Sequence, residues 1–429
     1  MKNKEVAQYA LKTLLAAGAE KAEVVYVEDK KYELNIAAGE ITLLRTNINN
    51  SLVFKAIRKE CIGTLALNSI SKEAIDNGAN EVITLCNSSP PDACHDISPK
   101  IENLNFKNGE EIPDLELMYD LLDLLAKKTK EKYPKTILEE VTFSFTHRKS
   151  WLQNSNGVEF FVEKGIYEVV SMFTSKDGKK TSSFNYTGCS FVDLKKDLIK
   201  RGDLEALLAQ SSEQTKLTPF SGKFTGKIIV TPHCLPNFLG ALTESLSDMS
   251  LISGSSPFKD KIGEKIAHHS FSLYSKPVGE ELADKSYVSS DGYKGENCTI
   301  VENGFLRSFL LSQYGANKTG LARSKSQGEN LVIPMGDKDL SEMIKSIGKG
   351  VLLCRFAGGH PGDSGEFSGV AKNSYYIENG EVKYPISETM ISGNFISMFK
   401  EINGISKERV DFGSSVLPWI VFDGVTISG

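Results

Sequence analysis

Apolar residues recur at helical spacing through Val6, Tyr9, Ala10, Leu14 and Ala17, and Gly18 follows as a stop. The pattern predicts an N-terminal helix. The period then shortens. "AEVVYVED", "YELNIAAGEITLL" and "SLVFKAIRKECIGTLALN" are β-rich runs, the last broken by a polar "RKE" turn. "SKEAIDNGANEVITLC" returns to helical spacing behind Ser71, a good N-cap. Residues 1–85 therefore read as an α+β unit.

Residues 86–113 are rich in Pro, Ser and Asn and read as a long connection. A helix is expected in "LELMYDLLDLLAKKTKEKY", then a strand meander to about 191. Within it Asn156-Gly157, between two apolar runs, predicts a hairpin. Two further helical patterns precede a Ser/Thr/Pro/Gly-rich boundary at 211–226. The last 200 or so residues alternate strands with glycine turns. One helix stands out at 339–348, with Asp339 and Glu342 as a capping box and Leu340, Met343, Ile344 and Ile347 on one face. The fold class that follows is α+β, an N-terminal α/β region before a β-rich C-terminal domain. The expected divisions are 1–110, 111–222 and 223–429.

One stretch combines helical periodicity with candidate ligands. "HCLPNFLGALTESLSDMS", His233 to Ser250, follows the strand "KIIVT" and places Leu235, Phe238, Leu239, Leu242, Leu246 and Met249 on one stripe. His233 and Cys234 precede the helix. Gly240 lies on the far face; a helical glycine costs about 1 kcal/mol relative to alanine. Two reasons fit, a peptide or partner backbone lying close over it and, slightly favoured, close packing within the chain.

Composition narrows the classes. The 429 residues suffice for two or three domains, and 40% hydrophobic and 24% charged residues are ordinary for a globular protein. A net charge of −5 argues against a nucleic-acid footprint. The opening segment, interrupted by Lys12, reads as a helix rather than a signal peptide, and no window approaches the apolar run a membrane span needs. The seven cysteines are dispersed without a CxxC pair, as expected for reduced thiols in the cytoplasm, and offer no zinc knuckle.

Candidate chemistry is sparse. "TPHC" and "GDSGEF" could be assembled into a trypsin-like site on His233 and Ser364. Glu366 replaces the glycine such a motif requires, and His233 leads into a helix. A turn with Gly362 and Gly365 at positive φ is the better reading. No two of the six histidines have the helical spacing of a zinc protease, and the adjacent His268 and His269 face opposite ways in any extended segment. His360, in "AGGHPGDSGEFSG", is the best functional candidate, because glycines let a ligand approach the backbone closely.

The block Gly358–Phe395, with its "GG…GEFS", "YIENGEVKYPI" and "ISGN", resembles the TldD/PmbA family, named as modulators of DNA gyrase. "LQNSNGVE", "ENGFLRSFLLSQYGANKTGL", the N-terminal runs and the closing "LPWIVFDGVTISG" extend the resemblance over nearly the whole chain. In the family, TldD-type subunits bind zinc through a His-Glu-x-x-x-His helix and a later Cys, and PmbA-type (TldE) subunits lack these ligands. Here the matching positions are Gly240, Ala241 and Ser245, with Ser414 or Ser415 near the late Cys. Glycine and alanine bring no donor atom, and a serine hydroxyl is a poor zinc ligand.

The resemblance implies a non-catalytic subunit with no metal or cofactor of its own, in the cytoplasm. It would pair with a TldD-like zinc metalloprotease, or with itself, and admit unfolded peptides as an added strand. The family is linked to leader-peptide removal and antitoxin turnover. Expected peptide contacts are Gly358, Gly359, His360, Asp363 and Ser364. Two other classes stay open. One is an independent hydrolase using His360 with Asp363 or Cys354. The other is a homodimeric peptide-binding protein without catalysis. No residue supports direct gyrase binding, and no nucleic-acid or membrane partner is expected.

Overall fold

The N-terminal helix spans Asn3–Ala16 and buries Val6, Ala10 and Leu14 completely; Gly18, at φ +107°, ends it. The structure is a computed structural model describing residues 3–429 except Ile101, His360, Asp363 and Glu388. The fold is α+β.

Two sheets organise it. The first has the strand order Cys61–Leu67, Glu40–Arg58, Lys21–Ala37, Thr136–Asn154, Glu159–Asp177, Leu104–Asn108, with Asn185–Phe191 also on Glu159–Asp177. Residues on both sides of position 110 therefore share one sheet. The run "YELNIAAGEITLL" is not one strand, because Ala38 (φ 51°) and Gly39 (φ 88°) turn it into a hairpin. The "RKE" turn forms with Lys59 and Glu60 at positive φ, and the Asn156-Gly157 hairpin pairs Gln153 with Glu159.

The connection at 86–113 is less irregular than its composition suggests. Leu104–Asn108 adds a parallel strand beside Phe160–Lys164, its alternate residues half-buried. A two-residue alternation this short is masked by the Pro/Ser/Asn-rich flanks. Helix Lys72–Ser88 starts where Ser71 Oγ accepts from Ala74 N at 3.1 Å, and Leu115–Lys132 is capped by Asp114.

The second sheet carries the C-terminal unit. At its centre, Lys223–Val230 runs parallel to Lys349–Leu353 and antiparallel to Val416–Ser428. Helix Leu235–Ser245 packs Leu235, Phe238, Leu239 and Leu242 into the largest core cluster. The apolar stripe does not run on as one helix. The chain breaks at Leu246–Ser247, where Ser247 and Ser250 hydroxyls donate to Glu244 O at 2.7 and 2.8 Å, and restarts as Asp248–Ile252. Leu246 stays buried, but Met249 is turned out and 77% exposed. The helix expected at 339–348 is confined to Leu340–Lys345, with its capping box formed and Met343 and Ile347 buried on one face.

Candidate functional site

The central strand Lys223–Val230 delivers its chain into a tight turn. Thr231 N donates to Leu353 O at 3.1 Å, and Cys234 N donates to Thr231 O at 3.0 Å. Helix Leu235–Ser245 therefore starts at the end of a strand in the middle of a sheet, where open sheets leave a crevice. A cleft of about 540 Å³ lies there. Its walls come from both sheets: Tyr186, Thr187 and Gly188 from the first, and Gly358 and Phe367 from the second, with Gly359 just past its strand and His233 and Gly240 from the turn and helix.

The sequence-derived positions divide around this cleft. Gly240 opens onto it, and a Cβ there would meet nothing within 4 Å. The expected packing over Gly240 from within the chain is therefore not made; the helix simply presents a bare face to the cleft. Ala241 and Ser245 face a separate cavity of about 70 Å³ under Pro361 and Gly362. Ser245 Oγ donates to Ala241 O at 2.8 Å. Ser415 lines the main cleft, whereas Ser414 is exposed and its carbonyl accepts from Asn330 Nδ2 at 3.0 Å.

A zinc ion does not fit these residues. Two lack donor atoms, and the hydroxyl of the third is engaged by the helix backbone. Among the described residues, no three His, Cys, Asp or Glu side chains gather as a ligand set.

The glycine-rich segment contributes less uniformly than its composition suggests. A Cβ on Gly358 would lie 2.5 Å from the Phe356 ring, so this glycine makes room for an aromatic of its own strand. Gly359 has open space around it. Ser364 is exposed, does not line the cleft, and its carbonyl accepts from Asn394 Nδ2 at 2.7 Å. Of the two predicted turn glycines, Gly365 takes positive φ, at 85°. His360 and Asp363 lie outside the described residues.

The other candidates have their own partners. Cys354 is 1% exposed, and burial pushes its thiol up to about 12, which leaves little thiolate for nucleophilic attack. His147 meets Glu163 at 3.0 Å, and His95 stacks on Tyr314 at 4.9 Å. His268 and His269 sit in a turn rather than an extended segment, which brings their rings to 4.1 Å. Burial, and then the charge of His269, lower the His268 pKa.

Sequence reasoning passed over the cleft's most polar feature. His233 Nδ1 lies 3.3 Å from Asp203 Oδ2, with both side chains about nine-tenths buried at 10% and 8% exposure. Asp203 Oδ1 accepts from Thr187 Oγ1. Arg355 lies 4.1 Å from the Phe184 ring centroid and donates to the Phe184 carbonyl. Nothing local marks Asp203, which reads as an ordinary helix cap.

Residues 221–429 match the family model described as the PmbA/TldA metallopeptidase C-terminal domain. The chain is similar to the metalloprotease PmbA homolog of Haemophilus influenzae, at 23% identity over 99% of this chain and 96% of that protein. Among solved structures it is similar to a Bacteroides thetaiotaomicron protein named as a modulator of DNA gyrase. That likeness has a TM-score of 0.87 and 21% identity, covering 100% of this chain and 99% of the other. It is also similar to TldE from Thermococcus kodakarensis, with a TM-score of 0.82 and 19% identity, covering 99% of this chain and 100% of the other. The structural likenesses establish a shared fold from end to end, the sequence relative spans the same extent, and the chain belongs to the TldD/PmbA family.

Proposed function

We propose that this chain is a PmbA/TldE-like, non-catalytic subunit of a TldD-type zinc metalloprotease complex that cleaves unfolded peptides. One observation carries the reading. The helix that would bear the family's zinc ligands is present and borders an open cleft, yet Gly240, Ala241 and Ser245 supply no usable ligand there.

The cleft's shape supports a peptide as its occupant. Strands Asn185–Phe191 and Arg355–Gly358 both reach it, and among the described residues each pairs with a strand on one side only. An unpaired strand edge is a template for an extended peptide, which gains main-chain hydrogen bonds there. The zinc and the hydrolytic step belong to the partner subunit; this chain helps hold the substrate.

Co-expression with a TldD-like subunit carrying the His-Glu-x-x-x-His motif tests the reading. The expected result is a co-purifying complex that degrades an unfolded polypeptide faster than the partner alone. Zinc would be bound in proportion to the partner. Stoichiometric zinc with peptidase activity in the isolated chain would overturn it, as would the absence of any complex.

A further inference from the structure

Asp203 stands at the N-cap of helix Leu204–Glu213, yet its side chain makes no capping hydrogen bond. An Asp cap stabilises a helix by about 1 kcal/mol. Here the carboxylate turns away, accepting from Thr187 Oγ1 and lying 3.3 Å from His233 Nδ1. A carboxylate 3.3 Å from Nδ1 favours the tautomer that carries its proton there, in which Nε2 is a lone-pair acceptor. No protein group among the described residues hydrogen-bonds Nε2, and His233 lines the cleft. It is the one ionisable side chain other than Tyr186 among the described cleft-lining residues. Four of the other lining residues are phenylalanines, and the Phe238, Phe356 and Phe367 rings stand 5.4 to 5.7 Å apart.

We infer that His233, oriented by Asp203, is the polar anchor of this cleft: Nε2 accepts a hydrogen bond from a backbone N–H of a bound peptide whose neighbouring apolar side chain lies against the Phe238–Phe356–Phe367 wall. The inference rests on the proposal that the cleft binds peptide. It adds a specific residue, a specific atom and a preference for bulky apolar residues over charged ones. An apolar wall favours an apolar side chain by removing its surface from water. A buried acceptor left unpaired by the wrong ligand penalises binding. His233 binds the ligand directly, and Asp203, which acts through it, is the positioning residue.

The test is fluorescence anisotropy of a fluorescein-labelled Ala/Ser decapeptide with one central Phe, using the full chain in complex with its TldD-like partner. Gly240→Trp probes the cleft itself, because its side chain would project into open space. It should abolish binding. His233→Ala should weaken binding about tenfold, and His233→Gln, which keeps an acceptor, should recover part of the loss. Single N-methylation along the peptide should find one amide whose blocking weakens binding to the wild type but not to His233→Ala. This coupling is a readout that general damage to the fold would not produce. If Gly240→Trp abolishes binding but no methylated amide couples to His233, the anchor is wrong and the peptide cleft stands. If Gly240→Trp leaves binding intact, both fail.

Discussion

The amide of Asn154 donates to both the carbonyl and the hydroxyl of Ser98, each at 2.9 Å. Its own oxygen accepts from Asn156 N at 3.0 Å and Val158 N at 3.1 Å. One buried side chain thus closes the Asn156-Gly157 hairpin and fastens the 86–113 connection to it.

Removing this amide leaves several buried polar groups without partners. Asn154→Ala should destabilise the protein by about 3 kcal/mol in urea denaturation. Ser98→Ala should cost less, because the Ser98 carbonyl still receives the amide. Equal effects from the two would show that the clamp is not what stabilises the hairpin.

Strand Glu159–Asp177 and the segment after Leu104–Asn108 approach through bare backbone. A Cβ on Gly165 would lie 1.7 Å from Glu110 O and 2.7 Å from Phe145 Cζ. Neither neighbour can give way, since one is main chain and the other a fully buried ring. Gly165→Ala should therefore cost about 3 kcal/mol of stability. Gly348→Ala is a control for adding a Cβ alone, having an ordinary φ like Gly165 and no neighbour within 4 Å. It should cost clearly less in the same melt.

Glu23 gives the fold a pH dependence. It is 5% exposed, its Oε2 has no hydrogen-bond partner, and Lys55 Nζ stands 4.0 Å from Oε1. Burial pushes its carboxyl above the ordinary value of 4.5; Lys55 opposes this, and the charge of Asp291 adds to it. A raised folded value means that the fold prefers the protonated acid. The stabilisation is complete below the unfolded value and is lost as pH rises through the folded one. At neutral pH the ionised group works against folding. Glu23→Gln should raise the melting midpoint at pH 7.5 by about 2 °C or more, with the gain shrinking toward pH 4.5. A gain independent of pH would exclude the burial of charge as its cause.

The cysteines should divide by burial. Cys61 and Cys94 are half-buried, while the other five are buried. Burial pushes the Cys189 thiol up to about 12 and raises that of Cys234. With a disulfide-exchange reagent at pH 8, at most two of the seven thiols should react quickly in the native protein, and all seven after denaturation. Fast reaction at Cys354 would reopen it as a nucleophile.

Much of the local structure was legible. The Ser71 cap, the Asp339–Glu342 capping box, the "RKE" turn and the Asn156-Gly157 hairpin depend on residues within a few positions of one another. The apolar stripe of Leu235–Ser245 was legible too, but its end was not, because the serines that break it near Ser247 also suit an exposed helix face. The parallel strand Leu104–Asn108 was missed because five residues of alternation have too little signal against their flanks.

By itself, the sequence determined which donor atoms these positions carry. Gly240 and Ala241 bring none in any conformation and Ser245 brings only a hydroxyl, a poor zinc ligand, because donor atoms are a property of the side chain. What the cleft contains was decided only in three dimensions. Asp203 and His233 come from separate elements, and strands Asn185–Phe191 and Arg355–Gly358 come from different sheets. Caps and turns form from neighbours at little entropic cost. A pair such as Asp203–His233 exists only after the sheets have closed the long loops between its members, and no local pattern records that.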